Sequence, residues 1–223
     1  MSEAISTSLE DIDPRQARVI EFFGLPGVGK TTAAHAYAKA LTGQGHEVLL
    51  ASTLIGDGRP FIVRAVMRFA LIATELIRRP SLVEALRLSS QCGPSTLKAR
   101  LKAGYNCLTT AALYARVSRR QEIVLVDQGW LQAVWSLATF SDGDPDPENI
   151  AAQAIQRFQG PDLFVILEAP LAVIRDRLSM RSSKHSRMQH GIGVELWDRA
   201  LCVQSKIMQS LGPEINVSRI RWG

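Results

Sequence analysis

The chain has 223 residues, 46% of them hydrophobic, which is enough to bury a full sheet and its covering helices within one domain. A formal net charge of +5 favours an anionic partner such as a phosphate compound, but is too small to indicate nucleic acid by itself. The first 16 residues carry acids and hydroxyls without an apolar core of signal-peptide length, so we expect a disordered tail and a cytoplasmic protein.

Short apolar runs alternate with helix-forming segments along the chain. Residues 18–23 predict a strand because they are rich in β-branched and aromatic side chains, and the alanine-rich segment 30–41 predicts a helix. The runs 122–127 and 163–169 are typical of parallel strands covered on both faces. Strands separated by helices predict an α/β fold with a parallel sheet, in one domain over 1–223. The other predicted elements are weaker strands over 46–51 and 214–220 and helices over 61–78, 81–88, 95–119, 131–139, 150–158, 171–180 and 194–210.

Residue spacing argues against two classes of protein. The most apolar segment, 61–77, is interrupted by Arg64, Arg68 and Glu75, which fall on one helical stripe. This pattern predicts a buried helix with one face in water, and it argues against a membrane span. The three cysteines and four histidines match no metal-ligand spacing, so no protein-bound transition metal is expected.

The stretch "GLPGVGKTT" matches the phosphate-binding pattern called Walker A, Gly-x-x-x-x-Gly-Lys-[Ser/Thr], and lies between a predicted strand and a predicted helix. Its glycines leave backbone N–H groups free to curl around a phosphate, and the start of the helix adds attraction. Lys30 is expected to act on the β- and γ-phosphates, and the Thr31 hydroxyl to ligate Mg²⁺. The nucleotide-binding candidates are therefore Gly24, Gly27, Val28, Gly29, Lys30, Thr31 and Thr32.

Asp127 ends the apolar run "EIVLVD", where a Walker B acid would lie beside the magnesium of a nucleotide. An aspartate at the end of a strand is also common in turns. Because the phosphate loop is present as well, we expect Asp127 to be a metal ligand and a catalytic residue. The sequences Asn-Lys-x-Asp and Asp-x-x-Gly, which GTPases use, do not occur in the chain, and this argues against a GTP switch.

These features resemble the nucleoside and nucleotide kinase branch of the phosphate-loop proteins, with thymidylate kinases nearest in pattern. The likeness lies in "GLPGVGKTT", in "VLVDQG" and in "PDLFVILEAPLAVIRDRLSMR" at 161–181, which in the family is a strand, an acid, a proline and a helix that opens onto a lid. The resemblance implies a P-loop NTPase fold, a five-stranded parallel sheet with helices on both faces. It also implies that the Asp127 strand lies next to the 18–23 strand.

The resemblance assigns roles to three arginines late in the chain. It implies that Arg177 contacts the nucleotide, that Arg181 is catalytic, and that 181–191 forms a lid in which Arg187 touches the transferring phosphoryl group. A positioned arginine can raise the rate of such a transfer by roughly 10³-fold or more. A basic, serine-rich loop of this kind is just as often an exposed linker.

The acceptor side is indicated by weaker patterns. In the family, the turn after the second strand offers an acid or an arginine to the acceptor. Asp57, a candidate catalytic residue, and Arg59 occupy that place here, in the sequence "GDGRP", which is also an ordinary turn. Gln128 stands where the family has an arginine after its Walker B aspartate. Segment 59–119 is expected to form much of the acceptor pocket.

The activity that the resemblance implies is ATP- and Mg²⁺-dependent phosphoryl transfer to a small hydroxyl- or phosphate-bearing acceptor, with a nucleoside or nucleotide as the leading class. A sugar, an antibiotic or another hydroxyl-bearing metabolite is an alternative acceptor. A regulatory or accessory ATPase that acts through a protein partner is the alternative from another class. Neither nucleic acid nor a membrane is an expected partner, and a homodimer is left open.

Overall fold

The computed structural model describes residues 17–92, 96–180 and 194–221. Within these ranges the strands are β1 (Val19–Phe23), β2 (Val48–Leu50), β3 (Ile123–Val126), β4 (Leu163–Glu168) and β5 (Val217–Arg221). The helices are α1 (Lys30–Gly43), α2 (Ala51–Leu54), α3 (Phe61–Arg78), α4 (Ala85–Gln91), α5 (Leu97–Val117), α6 (Trp130–Thr139), α7 (Pro147–Arg157), α8 (Leu171–Ser179) and α9 (Val194–Gln209), with a 3₁₀ helix at Pro80–Glu84.

The strands pair in parallel in one sheet, in the order β2-β3-β1-β4-β5. Every residue of the central strand β1 is buried, and its Glu21 is in register with Val126 of β3 and Phe164 of β4. From β1 to β2 the chain moves toward one edge of the sheet. From β2 onwards each new strand is added further toward the opposite edge. Right-handed crossovers therefore place helices on both faces of the sheet, which explains the continuous apolar runs of its central strands.

The predicted fold class is confirmed: the chain has the α/β, P-loop NTPase fold, with a five-stranded parallel sheet and helices on both faces. The strand that precedes Asp127 lies next to β1, as the resemblance implied. Because the carboxyl ends of parallel strands meet at one edge of a sheet, the loop after β1 and Asp127 after β3 come together there. This edge of the sheet positions the candidate active site.

Helix α3 is oriented differently from its prediction. The sequence predicts that the stripe of Arg64, Arg68 and Glu75 faces water, but Glu75 is fully buried and pairs with Arg116 and Arg119 of α5. Most of the large apolar side chains of α3 are exposed instead. The prediction of a polar, solvated face is therefore wrong. Periodicity separates two faces of a helix, but the partners available on neighbouring helices decide which of them turns inward.

Two smaller differences concern the limits of helices. Segment 81–88, predicted as one helix, is divided between the 3₁₀ helix at Pro80–Glu84 and α4, and α2 directly follows β2, where no helix was predicted. None of the helices in the described ranges is long and apolar enough to cross a bilayer. The one-domain prediction for 1–223 stays a prediction, and the predicted tail over 1–16 and lid over 181–191 lie outside the described residues.

Candidate active site

The loop that carries the Walker A pattern, residues 24–29, leaves β1 and enters α1 along a path that depends on glycine. Gly29, the residue before α1, has a φ of 105°, in the left-handed region that side chains rarely tolerate. A Cβ on Gly24 would lie 2.5 Å from the carbonyl oxygen of Leu167, because β4 runs directly beside the loop. The loop is therefore held against the sheet, and the first turn of α1 begins immediately after it.

Lys30 bends back over the loop that precedes it. Its Nζ donates hydrogen bonds to the carbonyl oxygens of Gly24 at 2.6 Å and Leu25 at 3.1 Å. Lys30 also lines a cavity beside the loop, together with Gly27, Gly29, Thr31 and Thr32. The ammonium group of Lys30 therefore lies at the loop, and a rotation of the side chain would place it in the cavity.

Thr31 and Asp127 bring two oxygen groups together across the sheet edge. The Thr31 hydroxyl, in the first turn of α1, donates to Oδ2 of Asp127 at 2.9 Å, and Asp127 is buried at the end of β3. Hydroxyl and carboxylate oxygens suit Mg²⁺, which usually binds one or two protein groups together with substrate phosphates. The described ranges contain no group of three or more His, Cys, Asp or Glu side chains that could hold a metal ion by themselves. The pair therefore fits a nucleotide-bound Mg²⁺.

Arg177 lies on the other side of the loop. It is carried by α8, and its guanidinium Nη1 donates to the carbonyl oxygen of the buried Val28 at 3.2 Å. The positive charge of Arg177 is thereby held next to the backbone of this loop. Arg181 and Arg187, the other two arginines named from the sequence, lie outside the described residues.

The cavity extends from the loop into a polar chamber, with a volume of about 440 Å³. One end is lined by the loop, Lys30, Thr31 and Asp127. The rest of the lining comes from helices in distant parts of the chain, and it includes Arg68 of α3, Asn106 and Thr110 of α5, and Gln132 and Trp135 of α6. Segment 59–119, which was expected to form much of the acceptor pocket, contributes five lining residues: Arg68, Asn106, Thr109, Thr110 and Leu113.

Two polar atoms in the walls of this chamber are buried without a hydrogen-bond partner in the described part of the chain. They are Nε of Arg68, a donor, and Oε1 of Gln132, an acceptor. Beside them lies an aromatic wall, in which Trp135 and Phe140 meet edge to face with ring centroids 6.1 Å apart. The indole N–H of Trp135 donates to the carbonyl oxygen of Ala200 at 3.0 Å, so α9 fixes this ring. A buried polar atom without a partner favours a ligand that supplies one.

Asp57 and Arg59 occupy an exposed turn after α2, and neither lines the cavity. The backbone N–H of Asp57 bonds to the carbonyl oxygen of Ser52 at 2.9 Å, which closes the turn. Ile55, two residues earlier, does line the cavity, so the turn adjoins the chamber. Gln128 also lines the cavity, next to Asp127.

Glu21 is a buried carboxylate beneath the site that the sequence-based assignment omitted. Its oxygens accept hydrogen bonds from the hydroxyl of Tyr114 and from the backbone N–H groups of Trp130 at 3.0 Å and Leu131 at 2.9 Å. Complete burial raises the pKa of Glu21 to about 7, although these hydrogen bonds lower it. Glu21 thus holds the first turn of α6, which directly follows Asp127 and Gln128.

A signal for Glu21 was present in the sequence, whereas the chamber residues gave none. A lone acid inside the apolar run "VIEFF" of a central strand is unusual and marks a buried polar contact. Gln132 and Trp135 sit in an ordinary helix two and five residues beyond its first residue, with no motif around them. Only the packing of α6 against the sheet edge brings them to the cavity.

Comparison with models of protein families finds no match for this chain, and comparison with curated protein sequences finds none. Among solved structures, the chain is similar to a deoxyadenosine kinase from M. mycoides with bound dATP, at 12% sequence identity and a TM-score of 0.47. The similarity covers 91% of this chain and 90% of that chain. It is a distant similarity, so the residue roles proposed below depend on this chain's own geometry.

Proposed function

We propose that this protein is an ATP- and Mg²⁺-dependent phosphotransferase that acts on a small hydroxyl- or phosphate-bearing acceptor, with nucleosides and nucleotides as the leading class. The supporting observation is that the phosphate-binding loop and the polar chamber form one cavity of about 440 Å³. This volume suits a small molecule placed beside a nucleotide's terminal phosphates. A regulatory ATPase also needs a nucleotide site, but it has no use for a polar chamber next to the phosphates.

In this proposal the nucleotide binds at the loop end of the cavity. The backbone N–H groups of Gly27 and Gly29 face the phosphates, and Lys30 exchanges its two carbonyl partners in the loop for the β- and γ-phosphates. Arg177, held at Val28, adds positive charge on the other side of the loop. Mg²⁺ would be held by Thr31 and Asp127 together with phosphate oxygens, and when bound it offsets charge on the transferring group.

The acceptor binds in the polar chamber. Gln132 Oε1 accepts a hydrogen bond from the acceptor, and the Arg68 guanidinium donates to an oxygen or nitrogen of it. The rings of Trp135 and Phe140 offer an apolar wall against which a planar ring can pack. A nucleoside combines a planar ring, polar edges and a free hydroxyl, and this combination supports nucleosides and nucleotides as the leading class.

The reaction breaks the bond between the γ-phosphorus of ATP and the oxygen that bridges it to the β-phosphate, and it forms a bond between that phosphorus and an acceptor oxygen. ADP leaves, and a hydroxyl acceptor releases its proton to water. Such a transfer depends mainly on positioning and on charge stabilisation, which Lys30 would supply directly and Asp127 would supply by holding Mg²⁺. Arg181 and Arg187 are proposed to add positive charge from the lid. Asp57 is proposed as a catalytic residue on weaker grounds, because its exposed turn only adjoins the cavity.

Two substitutions test the proposal at the loop end. Lys30→Ala should weaken ATP binding and lower the single-turnover rate at least ~10²-fold, because the lost charge acts on the phosphates in both the ground state and the transition state. Asp127→Asn keeps the size of the side chain and removes its charge, so kcat should fall more than ATP affinity. Calorimetric ATP titration and phosphoryl transfer to a panel of nucleosides, nucleoside monophosphates and hydroxylated metabolites measure both effects.

Lys39→Ala is the matched control, because Lys39 is an exposed lysine on the same helix as Lys30. It should leave both ATP binding and turnover unchanged. Near-wild-type turnover in Lys30→Ala or Asp127→Asn would remove that residue from the mechanism. Folded protein that binds ATP but transfers phosphate to no acceptor, and hydrolyses ATP only when a protein is added, would favour the accessory ATPase instead.

A further inference from the structure

Helix α3 presents an uncharged apolar stripe to solvent along its whole length. The α3 stripe consists of the exposed residues Ile62, Val66, Phe69, Ala70, Ala73 and Ile77, whose spacing keeps them on one helical face. The exposed fractions of its large side chains are 74% for Ile62, 62% for Val66, 70% for Phe69 and 83% for Ile77. Soluble proteins rarely leave a continuous apolar face of this kind uncovered.

The orientation that exposes the stripe is fixed by the opposite face of α3. There the fully buried Glu75 pairs with Arg116 at 2.8 Å and Arg119 at 2.6 Å, both from α5. About two turns earlier on the same face, Arg68 lines the cavity. Rotating α3 to bury the stripe would break this buried ion pair and withdraw Arg68 from the chamber. Something outside the described fold must therefore cover the stripe.

The order of residues in the stripe is self-complementary. When α3 is placed antiparallel to a copy of itself about the point between Phe69 and Ala70, Phe69 faces Ala70, Val66 faces Ala73 and Ile62 faces Ile77. Each large central side chain then meets a small one, which allows close helix packing. A two-fold interface requires that if residue i contacts residue j, then j also contacts i, and this stripe meets that condition.

The area of the exposed face also suits a second copy. The exposed parts of the stripe's large side chains, with the neighbouring Phe61 at 76% exposure, present apolar area on the order of 600–700 Å². The largest apolar patch of an ordinary monomer is about 300–600 Å², whereas a standard interface buries about 800 Å² per partner. The face is therefore larger than a monomer usually leaves open and close to what a stable dimer needs.

Other occupants fit the stripe less well. Residues 1–16 and 181–193 are mostly polar, and neither contains three consecutive apolar residues that could cover a face of this length. A helix that lies on a membrane keeps its basic face in water, but the polar face of α3 packs against the protein. We propose that the α3 stripe is a dimer interface, in which α3 packs antiparallel against α3 of a second copy of this chain.

Sedimentation velocity of the full chain over a micromolar concentration series tests the interface. The wild type should sediment as a dimer, and Phe69→Glu should raise the dissociation constant at least ~10²-fold, because it places two unpaired carboxylates at the centre of the interface. Val194→Glu is the matched control: Val194 is a similarly exposed apolar residue at the start of α9, and its substitution should leave the dimer intact. Far-UV circular dichroism checks that both variants remain folded.

The antiparallel register has its own test. Val66→Lys should weaken the dimer, and adding Ala73→Glu to it should restore affinity to within about tenfold of the wild type, because the introduced ammonium group of each copy would then face the introduced carboxylate of the other. The proposal would be overturned if the wild type sediments as a monomer. This holds whether or not the monomer binds phosphatidylglycerol vesicles. A Phe69→Glu dimer as tight as the wild type, or a double variant no tighter than Val66→Lys alone, would also overturn it.

Discussion

Replacing Glu21 by glutamine should change how the stability of this protein depends on pH. The carboxyl group is wholly buried in β1 and accepts hydrogen bonds from Tyr114 and from the first amides of α6. Burial raises its pKa from 4.5 to about 7, because the charged form loses its hydration. Glutamine keeps the size of the side chain and one of the two oxygens, which can still accept from Tyr114 and Trp130. The bond from the Leu131 amide is lost at every pH, so it changes the stability but not its pH dependence, and we expect the variant to fold.

The magnitude follows from the two pKa values of Glu21. The unfolded chain releases this proton near pH 4.5 and the folded chain near pH 7, so between these values the folded state binds more protons. The free energy of unfolding therefore falls as the pH rises through this window, at up to about 1.4 kcal/mol per pH unit. The contribution is fully present below pH 4.5, is lost above about pH 7, and amounts to about 3 kcal/mol in total.

Urea unfolding of the wild type and of Glu21→Gln at several pH values measures this effect directly. The free energy of unfolding of the variant, minus that of the wild type, should rise by about 3 kcal/mol between about pH 4 and about pH 8. Glu47→Gln, which removes an exposed carboxylate just before β2, should give a difference that is nearly flat over the same range. If the wild type and Glu21→Gln keep a constant difference, the pKa of Glu21 is the same in the folded and unfolded states, and the burial argument fails.

Two further substitutions test the ion pair behind α3 and the polar chamber. Glu75→Gln should destabilise the fold by about 2 kcal/mol. This is less than the ~3–5 kcal/mol that breaking a fully buried ion pair costs, because the side chains of Arg116 and Arg119 are 31% and 34% exposed. Urea unfolding measures it, with Glu84→Gln as control, because Glu84 forms a half-exposed ion pair with Arg157. A loss no larger than the control's would show that the pair of Glu75 is fully hydrated. Gln132→Leu should raise the KM of the acceptor about tenfold or more and leave the KM of ATP unchanged, because it removes a buried hydrogen bond to the acceptor. Steady-state kinetics with each substrate varied in turn decide this, and an equal rise in both constants would place Gln132 outside the acceptor site.

The fold class and the conformation of the Walker A loop could be predicted from the sequence because both depend on local patterns. The loop needs glycines, a lysine and a hydroxyl at fixed positions close together, so all the residues of the pattern lie between Gly24 and Thr32. Strands covered on both faces are short continuous apolar runs, and helices between them require parallel pairing. The position of Asp127 at the end of such a run was enough to place it beside the loop.

The chamber and the orientation of α3 could not be read from the sequence, because each depends on side chains that are distant in the chain. Arg68, Asn106 and Gln132 share one cavity only because α3, α5 and α6 converge at the carboxyl edge of the sheet. Periodicity gave α3 a polar and an apolar face, and solvation alone would turn the polar face outward. The sequence by itself determined the elements, their parallel pairing and the phosphate loop. Only the tertiary structure decided that the polar face of α3 lies inside, because the two guanidinium groups that α5 presents to Glu75 replace the water that a carboxylate otherwise needs.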